Sequence, residues 1–181
     1  MIIMNKEIIK KLYLMQVREN GISKDSYGTL SDEEKNMLEL REGRYYLKTE
    51  NRKQITVVMT GGAFDILHMG HVYTLTEAKK RGDILVVSIA TDELVKKKKG
   101  KLVHSQEYRA RMVEFLKPVD VVLPGIETPM KTFDRVRPDV IVYGYDQKPF
   151  LQPEGAEVIQ LKEHLEKGRF KTSRIIRDLG L

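Results

Sequence analysis

From residue 55 onward, short runs of β-branched and aliphatic residues alternate with stretches whose apolar positions recur every three or four residues. That alternation predicts a parallel sheet with crossover helices, because a strand covered on both faces reads as a continuous apolar run and its helix as a single stripe. Strands are predicted at 55–60, 84–90, 119–123, 140–143 and 157–161, the first four apolar enough to be covered on both faces. A helix over 70–81 falls between the first two, with Gly82 expected in the left-handed conformation that ends it. Ser105 is placed to N-cap a second helix through Leu116, whose Tyr108, Met112, Phe115 and Leu116 recur at helical spacing. Thr128 followed by Pro129 opens a third, and Pro138 closes it. Thr172 or Ser173 caps a last short helix before Gly180.

Residues 1–50 carry another pattern. Ile8, Ile9, Leu12, Met15 and Val17 predict one helix, Ser31 caps a second through Leu40, and Gly43-Arg44-Tyr45-Tyr46-Leu47 reads as a short β-ribbon. Two helices and a ribbon make a winged-helix-like appendage, a kind of unit that binds DNA or serves in dimerisation and packing. The basic, polar stretch 48–54 is the expected boundary, which gives a small N-terminal segment at 1–53 and an α/β domain at 54–181 with a doubly wound parallel five-stranded sheet.

Composition narrows the chemistry. The chain of 181 residues has no apolar run near the roughly 20 residues that cross a bilayer. Its start, MIIMNKEIIKKLYLM, lacks the features of a secretory signal, so a cytoplasmic protein is expected. With 0 cysteines there is no thiolate nucleophile, disulfide or Cys-ligated zinc. The net charge of +6 suits phosphorylated ligands, nucleic acid or an anionic surface alike. Lys96, Lys97, Lys98, Lys99 and Lys101 are bunched in what reads as one Gly-containing loop after the second strand.

The informative segment is Thr60-Gly61-Gly62-Ala63-Phe64-Asp65-Ile66-Leu67-His68-Met69-Gly70-His71, which joins the first strand of the sheet to its helix. Ligands in open α/β sheets sit at the carboxyl ends of strands. Gly61 and Gly62 allow a phosphate to approach the backbone, and Gly70 allows it at the helix start, where unpaired N–H groups attract anions. The segment lacks the Gly-Lys-Ser/Thr of a Walker loop and the Gly-x-Gly-x-x-Gly of a dinucleotide fingerprint. His68 and His71, three apart at a helix entry, can face one target. From the residues alone they are zinc ligands, structural histidines or donors to a phosphoryl oxygen; a zinc site would need a third ligand, and the nearby carboxylate is Asp65.

Gly62-Ala63-Phe64-Asp65-Ile66-Leu67-His68-Met69-Gly70-His71 resembles the signature of the cytidylyltransferase-like nucleotidyltransferases, whose fold is Rossmann-like. The resemblance implies that His68 helps position a nucleoside triphosphate and His71 stabilises the α-phosphate during direct in-line attack. It implies nucleotide contacts from Gly62, Ala63, Phe64, Met69 and Gly70 as well. A turn entering a late helix, Thr172-Ser173-Arg174, resembles the family's Ser/Thr-rich element for the β- and γ-phosphates, although it departs from the fuller Ile-Ser-Ser/Thr form. The family also places a Lys after the second strand, here one of 96–99. Lys96 is taken as catalytic, with Asp65, Lys99 and Arg109 as candidates for the acceptor; surface ion pairing is an equal reading of Arg109.

Four further stretches resemble the archaeal FAD synthases: Glu93-Leu94-Val95-Lys96-Lys97-Lys98-Lys99-Gly100, Leu116-Lys117-Pro118-Val119-Asp120, Arg137-Pro138-Asp139-Val140-Ile141 and Gly144-Tyr145-Asp146-Gln147. Glycerol-phosphate cytidylyltransferases tend to carry Gly-Asp-Asp-Trp at the last. The resemblance implies ATP and FMN as substrates, FAD and pyrophosphate as products, Asp146 near the nucleotide ribose, and a divalent cation (Mg²⁺, Mn²⁺ or Co²⁺) on the phosphates. Relatives are commonly homodimers. The absence of cysteines near the C-terminus and the N-terminal 50 residues are departures from that pattern. Glycerol-3-phosphate cytidylylation is the alternative enzyme, and a nucleotide-sensing regulator with a winged-helix N-terminus is the alternative of another class.

Overall fold

A computed structural model of the chain describes residues 2–126, 128–150 and 153–162. It divides into two compact units, Met1–Thr56 and Val57–Leu181. Among the described residues, no helix is long and apolar enough to cross a membrane.

The first unit runs α1 (Ile2–Glu19), α2 (Lys24–Gly28), α3 (Asp32–Asn36), an antiparallel ribbon of β1 (Leu38–Arg41) and β2 (Arg44–Leu47), and α4 (Thr49–Arg52). Ile9, Leu12, Tyr13 and Val17, spaced along one face of α1, are fully buried. The ribbon turns through Glu42 at φ 48° and Gly43 at φ 79°, two left-handed residues whose twist matches that of the strands they join. Ser31 caps α3 with a reciprocal box: its hydroxyl accepts from the Glu34 N–H, and the Glu34 carboxylate accepts from the Ser31 N–H. The helix expected through Leu40 stops at Asn36, because Leu38 and Leu40, two apart and so on one face of β1, pair with Leu47 and Tyr45. Sequence reading missed α2, which Ser23 caps.

The second unit is a Rossmann-like α/β layer structure. Its strands are β3 (Val57–Gly62), β4 (Ile84–Ile89), β5 (Val121–Pro124), β6 (Val140–Tyr143) and β7 (Glu157–Gln160), all parallel, in the order β5-β4-β3-β6-β7. Helices α5 (Met69–Lys79) and α7 (Gln106–Glu114) pack on β3, β4 and β5, and their Leu75, Ala78 and Val113 join Val58, Leu85, Val87 and Val142 in one buried cluster. Two more helices, α6 (Asp92–Lys99) and α8 (Pro129–Val136), complete the unit. The chain builds outward from β3 to β5 and then returns to the other side of β3, so the strand order reverses between β3 and β6. A crevice opens at the carboxyl ends of the strands flanking such a reversal.

Several boundaries differ from expectation for local reasons. β3 begins at Val57, since the Ile55 N–H donates to the Arg52 carbonyl and the Ile55 carbonyl accepts from the Arg52 guanidinium. β5 begins at Val121 because Val119 is held in a turn on Leu116; as an edge strand it alternates buried and more exposed positions rather than being covered throughout. Gly82 is not left-handed: α5 closes on Lys80 in an ordinary right-handed turn. The lysine run is not a loop. Thr91 caps α6 through the Leu94 N–H, Asp92 and Glu93 occupy its positive end, the lysines its negative end, and Gly100 at φ 74° stops it.

Two of the stretches carrying the family resemblance act at the amino end of the sheet. The Asp120 carboxylate accepts from the Leu85 N–H at 2.6 Å and from Lys79 at 2.5 Å, while the Asp120 N–H donates to the Leu85 carbonyl. Asp139 does the same for β3, its carboxylate taking the Val57 N–H at 2.7 Å and its N–H donating to the Val57 carbonyl. Each aspartate fixes the register of the neighbouring strand.

Acid should weaken the first unit. Lys11 and the Ser31 N–H hold the Glu34 carboxyl below its ordinary 4.5 against the cost of burial. Burial pushes Glu19 up, but the Ser23 N–H, the Ser26 and Ser23 hydroxyls and Arg44 outweigh it and leave that carboxyl lowered too. Groups lowered on folding stabilise fully above their unfolded pKa and lose that contribution as pH falls through the folded one. The unfolding temperature should therefore be level near neutrality and fall below about pH 4.5, roughly the unfolded value, and Glu34→Gln should flatten that fall in a melting series across pH.

Candidate active site

β3 ends in Gly61 and Gly62, and the chain then turns into α5 through Ala63, Phe64, Asp65, Ile66, Leu67 and His68. Phe64 sits at φ 51°, a left-handed conformation costly for a bulky residue. Its ring is buried in the core cluster. A β-carbon on Gly62 would lie 2.9 Å from that ring, so Phe64 fills the space that a side chain at Gly62 would need. Gly61 is constrained more mildly, by the Ser88 carbonyl of β4 at 3.3 Å.

His68 is the N-cap residue of α5, in extended conformation, and its carbonyl accepts from the His71 N–H at 2.9 Å. The imidazoles of His68 and His71 are stacked with centroids 3.9 Å apart, and the His71 ring lies 5.0 Å from that of Phe64. The structure thus brings the two histidines together at the amino end of an 11-residue helix, where backbone N–H groups and the dipole favour an anion. Gly70 lies in the first helical turn beside them and Met69 is exposed.

The loop after β6 lies against the same end. Gln147 donates from Nε2 to the Gly61 carbonyl at 2.9 Å, accepts at Oε1 from the Gly144 N–H, and is held at its carbonyl by Gln160. A β-carbon on Gly144 would sit 3.5 Å from the Thr74 hydroxyl of α5 and 3.7 Å from an Asp146 carboxylate oxygen. Asp146, expected near a ribose, is therefore exposed on a loop that packs on α5 one turn beyond His71. Sequence reading gave Gln147 no role of its own; its amide joins the two strands that flank the reversal.

Two candidates for acceptor binding are turned inward. Asp65 is 1% exposed, and its carboxylate accepts the N–H groups of Val103 and His104. Arg109 is 0% exposed: Nε donates to the His104 carbonyl, Nη1 to that of Ala63, and Nη2 to that of Ala90 and to the Asp92 carboxylate at 2.7 Å. Four of the five guanidinium N–H groups are spent on main-chain oxygens and one aspartate, which makes Arg109 a brace between the β3–α5 connection and the β4–α6 junction. His104, absent from the candidates, is part of this brace through Nδ1 on the Asp65 carbonyl at 2.6 Å. Lys96, Lys97 and Lys98 are exposed along α6. The Lys99 side chain and Thr172, Ser173 and Arg174 lie outside the described residues. Among the described residues, no cluster of three or more His, Cys, Asp or Glu comes together for a metal ion, Asp65 being committed elsewhere.

Two substitutions test this construction. Arg109→Met should cost about 3–5 kcal/mol, the scale for removing one partner of a buried ionic network, and appear as a large drop in denaturant midpoint. Gly62→Ala should cost about 1–3 kcal/mol by overpacking Phe64; unchanged stability with lost nucleotide affinity would instead restore the phosphate as the group that excludes a side chain there.

Comparison with known proteins agrees with this geometry. The model of the Cytidylyltransferase-like family matches residues 59–176, a span that includes Thr172, Ser173 and Arg174. A FAD synthase of Aciduliprofundum boonei is 53% identical over 92 residues, covering 50% of this chain and 62% of that protein, so the match spans less than two thirds of that relative. FAD synthases of Pyrococcus horikoshii and Thermococcus kodakarensis are 42% and 41% identical over 132 and 142 residues, covering 66% and 71% of this chain and 88% and 93% of theirs. The crystal structure of a lipopolysaccharide core biosynthesis protein from Thermoplasma volcanium superposes with a TM-score of 0.55 at 35% identity, over 61% of this chain and 98% of that one. The histidine pair at the start of α5, the strand reversal beside it and the family match together establish that the chain belongs to the cytidylyltransferase-like family.

Proposed function

We propose that this chain is an FMN adenylyltransferase, joining the AMP of ATP to FMN to give FAD and pyrophosphate. The observation that carries the reaction type is the stacked pair His68 and His71 at the amino end of α5, at the point where the strand order reverses. Support for the acceptor comes from relatives named FAD synthase and from Gly144-Tyr145-Asp146-Gln147, whose Gln147 ties the loop to β3.

In this reading an FMN phosphate oxygen attacks the α-phosphorus of ATP, a new P–O bond forms, and the bond from that phosphorus to the α–β bridging oxygen breaks as pyrophosphate leaves. No protein nucleophile is required; the work is positioning and neutralisation of charge on the phosphoryl oxygens. His68 and the first N–H groups of α5 hold the triphosphate, and His71 donates to the α-phosphoryl oxygen where charge builds up. Lys96 and its neighbours on α6 supply cationic charge, Asp146 receives the ribose, and Thr172, Ser173 and Arg174 receive the β- and γ-phosphates. A Mg²⁺, Mn²⁺ or Co²⁺ ion would supply further charge neutralisation at the phosphates of the nucleotide. This activity resides in the α/β domain, 54–181, and residues 1–53 are an appendage to it.

Purified protein should release pyrophosphate with ATP and FMN and form FAD, while CTP with glycerol 3-phosphate or ATP with 4′-phosphopantetheine should give none; release with CTP and glycerol 3-phosphate would overturn the acceptor and the base together. His71→Ala should lower turnover by about 100-fold or more, the usual loss for one donor to a transition-state oxyanion. Its melting temperature should stay within about 2 °C, as for substitutions costing under about 0.5 kcal/mol. A lowered melting temperature with activity tracking folded protein would make the residue structural.

A further inference from the structure

The loop from Gly144 onward presents an aromatic ring to solvent. Phe150 is 63% exposed, and its ring meets that of Tyr143, at the carboxyl end of β6, edge to face with centroids 5.5 Å apart. The Lys98 ammonium lies over the Phe150 ring, 5.7 Å from its centroid. Tyr143 is itself 4% exposed, so it is a fixed wall against which Phe150 rests. The loop is anchored upstream by the Gln147 bonds to Gly61 and Gly144, which places Phe150 three residues beyond a tether to the strand that ends in Gly62.

Resting on the adenylyltransferase reading, we infer that Phe150 is a specificity-determining residue: the platform on which the planar ring of the phosphate-bearing acceptor stacks, with Lys98 as the cation that pairs with that acceptor. An aromatic ring held on a braced loop and left exposed gains most from a ligand with a large flat π-face, and an isoalloxazine is such a ligand. The ammonium now over Phe150 stands in for it through a cation–π contact, which is weak where water still reaches the ion. As the flavin ring enters, it takes the place of the ammonium, and the flexible stem of Lys98 carries the charge to the single phosphate of the acceptor. The adenine of ATP suits this position less well, because in the proposed reading its triphosphate is held at the start of α5. Glycerol 3-phosphate has no ring to stack, so Phe150 would give it nothing.

The test is a titration of flavin fluorescence with FMN and riboflavin, beside calorimetric titration with ATP, on the whole chain. Phe150→Leu should bind FMN and riboflavin at least about tenfold more weakly, the scale of losing one stacked ring, and ATP unchanged; Phe150→Trp should restore flavin binding. Lys98→Met should weaken FMN and leave riboflavin as it was. Phe115→Leu, the same exchange at a ring 87% exposed at the end of α7, should alter neither ligand and serves as the control. Undiminished FMN affinity in a folded Phe150→Leu protein would overturn the inference while leaving the proposed reaction standing. Weakened ATP binding with FMN unaffected would overturn it in favour of adenine. Failure of the parent protein to bind FMN at all would remove the adenylyltransferase reading and the inference with it.

Discussion

The arrangement of this site depends on a guanidinium with no access to water. Arg109 places donors on three main-chain carbonyls and on Asp92; Ala63 and Ala90 belong to the connections leaving β3 and β4, and Asp92 opens α6. A buried unpaired charge would cost several kcal/mol, so the guanidinium persists in the core only while all these oxygens converge on it. The requirement works in both directions. Carbonyls that have run past the ends of a parallel sheet have no ladder partners, and the guanidinium is what satisfies them. Asp65 answers the same need with the opposite sign, by accepting the N–H groups of Val103 and His104. Loop backbone that would otherwise need water is thereby fixed from beneath, and the segment carrying His68 and His71 is held by the protein before any nucleotide arrives.

The sheet separates two tasks along its length. At its amino end, Asp120 and Asp139 lock β4 and β3 to their neighbours. At its carboxyl end, Gln147 and the Ala90 N–H, which donates to the Gly62 carbonyl, draw the strand tips together around the reversal. Register errors at one end would shift every side chain at the other by a full face. Pro-Val-Asp and Pro-Asp therefore matter to the chemistry without touching it, which explains why stretches so far from the histidines belong to the same sequence pattern.

The strands were legible because they are apolar runs bounded by glycine, proline and aspartate, and the order of elements leaves few topologies for such a chain. The histidine pair was legible because its spacing forces proximity on any helix entry. Other features were hidden by the length scale of the interactions that decide them. Asp65 and Arg109 read as acceptor-binding candidates, since charged residues are seldom buried, and nothing local reveals that Asp65 turns to Val103 and Arg109 to Ala63. The lysine run read as a loop because consecutive like charges erase the apolar stripe. Its helix was announced only by its ends, with Thr91 and two acidic residues before it and Gly100 after. Leu38 and Leu40 fit either period, and the ribbon partner across Glu42 and Gly43 settles the choice for strand.

Rigidity is distributed unevenly around the reversal, and the distribution matches the demands of phosphoryl-type transfer. The β3–α5 connection has Phe64 wedged beside Gly62, two imidazoles stacked on each other and Arg109 beneath, so its geometry is over-determined. Such a frame suits a transition state whose requirements are the same for every acceptor, because positioned donors then need no reorganisation as charge develops. Across from it stand a helix of exposed lysines and an aromatic on a loop, groups that alter with little consequence for the core. Gly144-Tyr145-Asp146-Gln147 spans the two sides, Gln147 being tied to β3 while Asp146 stays exposed.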